Sequence, residues 1–269
     1  MERYFRVFTF MFQVWGMIGR NKALLKPIVY NILIAGPVNL VLALAYGSVE
    51  DATLGFALLA IGITLLYFID YVCAGLTASL IYDQVTEGDA RIDDAVARVK
   101  RSANGILIFA AISSALDILA SYAQERSDFV AKIITNILYS VWTTATFMVM
   151  PAMVIEGLSF GAAFKRSKDI MANDPTNVGV GVVGIAVANY ALGAAVFGLA
   201  YGLIDPLASI SPMLAGIAFF TIINVYWALS GYLKISYYTC FYLWVKRCVH
   251  ERSDSPSLAP APLAVTLGG

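Results

Sequence analysis

The sequence predicts an all-α integral membrane bundle of six transmembrane helices, with an N-terminal interfacial helix and two cytoplasmic amphipathic helices. Three observations carry that prediction. Of 269 residues, 59% are hydrophobic and only 13% are charged, against about 25% charged in a typical soluble domain. The apolar residues gather into six runs close to or longer than the about 20 residues a helix needs to cross a hydrocarbon core. Lys+Arg and Asp+Glu both total 18, yet the basic residues concentrate in alternate connections, as in a chain threaded back and forth across a membrane.

Residues 1–26 precede the first run. Phe5, Phe8, Phe12 and Trp15 fall on one helical face, with Arg6, Thr9, Gln13, Gly16 and Arg20 opposite. That pattern predicts a helix lying in the headgroup layer. No AxA-like cleavage site follows it, so the segment reads as an interfacial helix rather than a signal peptide, with an uncleaved anchor as the alternative.

The first span, 27–46, opens on Pro27, where a missing N–H does no harm. Gly36-Pro37 predicts a kink within it, with Asn31 and Asn39 placed to satisfy the freed backbone groups. Spans 53–82, 105–122, 129–155, 178–204 and 212–245 follow. The third is the weakest, being short and containing Asp117. A re-entrant pair formed by the third and fourth would preserve the threading and is the alternative topology. Asp205–Ser211, framed by Pro206 and Pro212, predicts a tight turn between the last two.

Sorting the charges by connection orients the bundle. Arg3, Arg6, Arg20, Lys22 and Lys26 share a side with Arg91, Arg98, Lys100 and Arg101, with Lys165, Arg166 and Lys168, and with Lys246, Arg247 and Arg252. The opposite side holds only Arg126 and Lys132. The positive-inside rule places the first group, and with it both termini, in the cytoplasm. Residues 1–252 then form a single membrane domain. Residues 253–269, rich in Pro, Ala and Ser, read as a flexible cytoplasmic tail.

Two cytoplasmic connections have a common plan. Glu87-Gly88 precedes an amphipathic stretch with Ile92, Val96 and Val99 that ends in Lys100-Arg101-Ser102. Glu156-Gly157 precedes Phe160, Phe164 and Met171, with Lys165-Arg166-Ser167 among them. Glycine suits a sharp bend from a span onto the membrane surface. The spacings differ by four residues, so an internal repeat would be an imperfect one.

The run Trp142-Thr143-Thr144-Ala145-Thr146-Phe147, continuing to Pro151, Glu156-Gly157 and Ala163-Phe164-Lys165-Arg166-Ser167, resembles an uncharacterised family of prokaryotic polytopic membrane proteins known only as a domain of unknown function. The resemblance extends from about Tyr67 to Ser167 and includes Glu87-Gly88 and Gln124-Glu125-Arg126. It implies a six-helix bundle of bacterial or archaeal type and brings no activity with it.

Ionisable residues inside a span are costly to leave unpaired, by about 2.5–3.5 kcal/mol on insertion scales, and are therefore candidate functional groups. Asp70, Asp117 and Lys234 qualify. Asp70 precedes Asp83 by 13 residues and Lys234 precedes Lys246 by 12, which puts the two at matching depth. Ser113, Asp117 and Ser121, at i, i+4 and i+8, give the third span a polar stripe. Two readings stand: a polar site or ion path built from these five residues, or a structural Asp70–Lys234 pair joining two helices. On the fifth span, Ala194, Gly198 and Gly202 recur every fourth residue and predict close helix packing, either within the bundle or between subunits.

Other classes fall away. A neutral, charge-poor chain does not bind nucleic acid through phosphate neutralisation. Three scattered cysteines without CxxC give neither a disulfide framework nor a zinc site, and His250 stands alone. The sequence lacks HExxH, GxSxG and a P-loop, so no catalytic residue or cofactor is expected. The first functional expectation is a non-enzymatic membrane scaffold of the cytoplasmic membrane, partnered by lipids and by copies of itself or another membrane protein. The alternative is a channel or transporter using Asp70, Asp117 and Lys234.

Overall fold

The computed structural model describes residues 2–125, 129–173, 175–251 and 256–267. Arg126, Arg252 and residues 253–255 lie outside the described residues, as do the side chains of Arg3, Phe5, Arg6 and Phe8.

Every regular element among the described residues is helical. In chain order they are α1 (Glu2–Arg20), α2 (Lys26–Gly47), α3 (Ala52–Thr86), α4 (Ile92–Arg101), α5 (Ala103–Glu125), α6 (Phe129–Ala145), α7 (Val149–Glu156), α8 (Phe160–Asn173), α9 (Pro175–Ile210), α10 (Pro212–Glu251) and α11 (Ala261–Leu267), with short 3-10 turns at Lys22–Leu25 and Pro256–Leu258. Among the described residues, six stretches are long and apolar enough to cross a membrane. Local chemistry sets several boundaries. Asp51 caps α3 by accepting from the Leu54 N–H at 2.8 Å. Asp93 and Asp94 open α4, while Arg98, Lys100 and Arg101 close it, matching the helix dipole at both ends. Gly88 and Gly157, the glycines after the two glutamates, have φ of 78° and 70°, left-handed values that let α3 and α7 end abruptly.

Three elements differ from the sequence expectation. The fourth span is two helices, α6 and α7, separated at residues 146–148. Pro151 explains the break, because its ring displaces the carbonyl of Phe147 and it has no N–H to offer that carbonyl. The turn expected over Asp205–Ser211 contracts to Ser211 alone, since α9 runs through Pro206 to Ile210. Pro206 forfeits one hydrogen bond yet has a helical φ, whereas Pro212 starts α10 and forces Ser211 out of the helix. The tail is ordered over 256–267: Leu263 is fully buried, Ala259 is buried, and Arg247 Nη1 donates to the Leu258 carbonyl at 3.3 Å. Apolar residues at helical spacing let this segment pack on α1 and α10. Helix α1 buries Phe10, Val14 and Met17 against the bundle and leaves Phe12 70% exposed. Phe10 meets Tyr237 edge to face at 5.2 Å.

Helix α3 is central, with α2, α5, α7 and α10 packed around it. The densest core lies toward one end of the bundle, where Leu76–Ile81 of α3 and Ser236–Trp244 of α10 meet Val149–Val154 of α7. Arg98 of α4 is tied there to Asp83 at 2.6 Å and to Ser79 at 2.8 Å. Toward the other end, large apolar side chains such as Leu44, Phe56, Ile61, Leu203 and Met213 point outward. That is the surface expected of helices whose solvent is hydrocarbon.

Candidate functional site

A cavity of about 500 Å³ opens beside the dense core, walled by α2, α3, α5, α6, α7 and α10. Its wall includes Asp70, Asp117, Lys234 and Ser113, four of the five polar residues singled out from sequence. Ser121 is not among them and is exposed elsewhere. Asp70 and Lys234 have exposed surface although they stand well inside α3 and α10, because the cavity reaches them.

Asp70 and Lys234 face the same space without touching. The ion pairs among the described residues are Arg91 with Glu87 and Asp94, Arg98 with Asp83, and Lys246 with Glu156. None joins Asp70 to Lys234 within 4 Å, so the two charges act on each other across the cavity. Asp70 is held from a different direction: Asn31 Nδ2 of α2 donates to Asp70 Oδ1 at 2.6 Å. Asn39 Nδ2 donates to Asn224 Oδ1 at 3.0 Å, linking α2 to α10. The sequence pattern assigns both asparagines to the backbone freed by Pro37; their amides instead bond side chains on neighbouring helices, Asp70 and Asn224.

Asp117 lines the cavity together with Tyr67 and Tyr139. No ion pair to it occurs among the described residues. Ser113 is already engaged, accepting from the Tyr71 hydroxyl at 2.8 Å and from Trp142 Nε1 at 3.1 Å. Those bonds hold an aromatic wall: Tyr71 stacks on Phe109 at 4.3 Å, Phe109 meets Trp142 at 5.9 Å, and Trp142 stacks on Phe164 at 5.9 Å.

The residues that carry the family resemblance build the lower wall. Thr143, Thr146, Phe147 and Met150, at and around the α6–α7 break, line the cavity with Trp142. Backbone that leaves helical geometry at membrane depth is tolerated where it is buried in protein or lines a cavity. The break is braced from two sides. Ser167 Oγ of α8 accepts from the Met148 N–H at 3.3 Å, and Ser102 Oγ donates to the Met153 carbonyl at 3.0 Å. These are the last residues of the two Lys-Arg-Ser triplets, so both triplets grip α7. Pro151 is buried in the first turn of α7, Glu156 pairs with Lys246 at 3.0 Å beside Gly157, Arg166 lies close to Glu156, and Lys165 is exposed.

The small-residue face of α9 does not pack within the bundle. Ala194, Gly198 and Gly202 are exposed, and a Cβ on either glycine would meet nothing within 4 Å. Close approaches occur instead at Gly62 against Leu42, Gly105 against Met153 and Gly193 against Tyr226. Spacing alone does not reveal which face of α9 meets α10.

The polar wall residues that sequence reasoning does not assign to the site include Asn39, Asn224, Tyr67, Tyr71 and Tyr139. Uncharged polar groups interrupting apolar runs are their available signal. Among the described residues, no three His, Cys, Asp or Glu side chains converge to hold a metal ion.

Among the described residues, fold and cavity together define a helical protein with six stretches fit to span a membrane and a polar, aromatic-walled chamber among them. Comparison with protein-family models and with curated proteins gives no match to this chain.

Proposed function

We propose that the protein resides in a prokaryotic cytoplasmic membrane with both termini inside, and that it binds and transports a small polar solute through this cavity. One observation carries the reading: Asp70 and Lys234 open into a shared chamber without forming a direct ion pair. A purely structural pair would gain most by contact in a low-dielectric interior. Charges held apart across an open space leave room for something between them. The broken fourth span supports the same reading, since discontinuous helices commonly form transporter sites. On this reading, α1, α4 and α8 lie along the membrane surface, and the bias of basic residues orients the chain.

Cys73 lines the cavity and gives a direct test. In a Cys240→Ser, Cys248→Ser background, a water-soluble thiol reagent should modify Cys73 in proteoliposomes. Solute flux should vanish in Asp70→Asn and in Lys234→Met, with the size-exclusion profile unchanged. An unreactive Cys73 together with no flux in the parent protein would return the scaffold reading.

A further inference from the structure

We infer that the occupant of the cavity carries two cationic centres and one anionic centre, as a diamino carboxylic acid does; this rests on the solute-binding reading above. The charges on the wall are Asp70, Asp117 and Lys234, a net of −1. Ion-paired charges are far less costly in an apolar bundle than isolated ones, so a complementary ligand should satisfy each group and the total. Lys234 has no carboxylate within 4 Å among the described residues and calls for an anion. Asn31 occupies one oxygen of Asp70 and leaves the other for a donor. Asp117 has no ion pair among the described residues and calls for a cation. A neutral amino acid would leave one carboxylate unmatched. A simple diamine would leave Lys234 unmatched, and a dicarboxylate would add repulsion.

Shape agrees with charge. Asp70 on α3 and Asp117 on α5 line the chamber from two different helices. They offer two separate anionic points, as the two cationic ends of an extended ligand require. Tyr67, edge to face with Tyr71 at 5.7 Å between ring centres, adds to the chamber wall an aromatic ring of the kind that attracts an ammonium group. A volume of about 500 Å³ is ample for such a solute.

The test is equilibrium binding to the purified full chain in detergent, with free lysine, alanine, 1,5-diaminopentane and glutamate as probes. Lysine should bind about tenfold or more tighter than each of the others. Asp117→Asn should erase the preference for lysine over alanine. Lys234→Met should let the diamine bind as well as lysine. Should either variant fail to stay monodisperse, the parent protein's ranking of the four probes decides alone. If another probe equals lysine and its binding is lost in Asp70→Asn, the ligand class is wrong and the site stands. If no probe binds while Cys73 is reactive, the class again fails. If no probe binds and Cys73 is also unreactive, the solute-binding reading fails with it.

Discussion

Asn31 and Asp70 lie 39 residues apart in sequence and 2.6 Å apart in space, joining α2 to the central helix through the amide and one carboxylate oxygen. A hydrogen bond to a charged group contributes about 1.5–3 kcal/mol. Asn31→Ala should therefore lower stability by about 2 kcal/mol, read from thermal unfolding in detergent. Asn31→Asp should cost more, because it sets a second carboxylate against the first, and adding Asp70→Asn should recover most of that loss. An Asn31→Ala protein as stable as the parent would show that the contact holds nothing together.

Arg98 fastens α4 to α3 through a charge that has almost no other outlet. Asp83 is 3% exposed in its side chain, while Arg98 also bonds Ser79 and lies over the Tyr82 ring at 5.3 Å. Removing one partner of a buried pair costs about 3–5 kcal/mol, since the other charge is left uncompensated. Arg98→Ala should fall in that range, and the Arg98→Met, Asp83→Leu double variant should be markedly more stable than Arg98→Ala. Equal stability of the single and double variants would contradict a coupled pair.

The amount of this legible in the sequence follows from what each signal depends on. Span number, and the placing of Asp70, Asp117 and Lys234 within spans, depend on local composition, and the structure has them in six apolar helical stretches. Their arrival at one cavity depends on how α3, α5 and α10 rotate against each other, which no single helix encodes. The same limit explains α9, where the regular spacing of Ala194, Gly198 and Gly202 defines a face but not the partner of that face. Pro206 and Pro151 are chemically identical; only the latter interrupts a helix, where Ser102 and Ser167 are present to brace the broken ends. Asn31 and Asn39 are legible as polar insertions, but their bonds to Asp70 and Asn224 are tertiary.

Glycine substitutions separate conformational from packing roles. Gly157 has φ of 70°, and a Cβ there would meet nothing within 4 Å, so Gly157→Ala should cost only the left-handed penalty of about 1–2 kcal/mol. Asn at the same place should cost less than Ala. Gly62→Ala would bring a Cβ to 2.6 Å from Leu42 Cδ2, so it should loosen the α2–α3 contact, and Leu42→Ala should rescue it. Gly198→Ala should be neutral for monomer stability. Thermal unfolding of the set gives the order directly, and a destabilising Gly198→Ala would overturn the outward placement of that face.

Ser102 and Ser167 hold α7 at opposite ends, one by donating to the Met153 carbonyl and the other by accepting from the Met148 N–H. Both serines are buried, so each alanine substitution leaves a backbone group without its partner and should cost about 1–3 kcal/mol. The two act on one short helix, so their effects should depart from additivity by about 0.5 kcal/mol or more. Hydrogen exchange locates the consequence: amides of Met148–Val154 should lose protection in either variant, while those of α2 should not. Thr146, Phe147 and Met150 line the cavity on this same segment, so loosening α7 should also change the reactivity of Cys73 across the chamber. Unchanged exchange at Met148–Val154 in the double variant would mean that Pro151 and core packing alone fix the break.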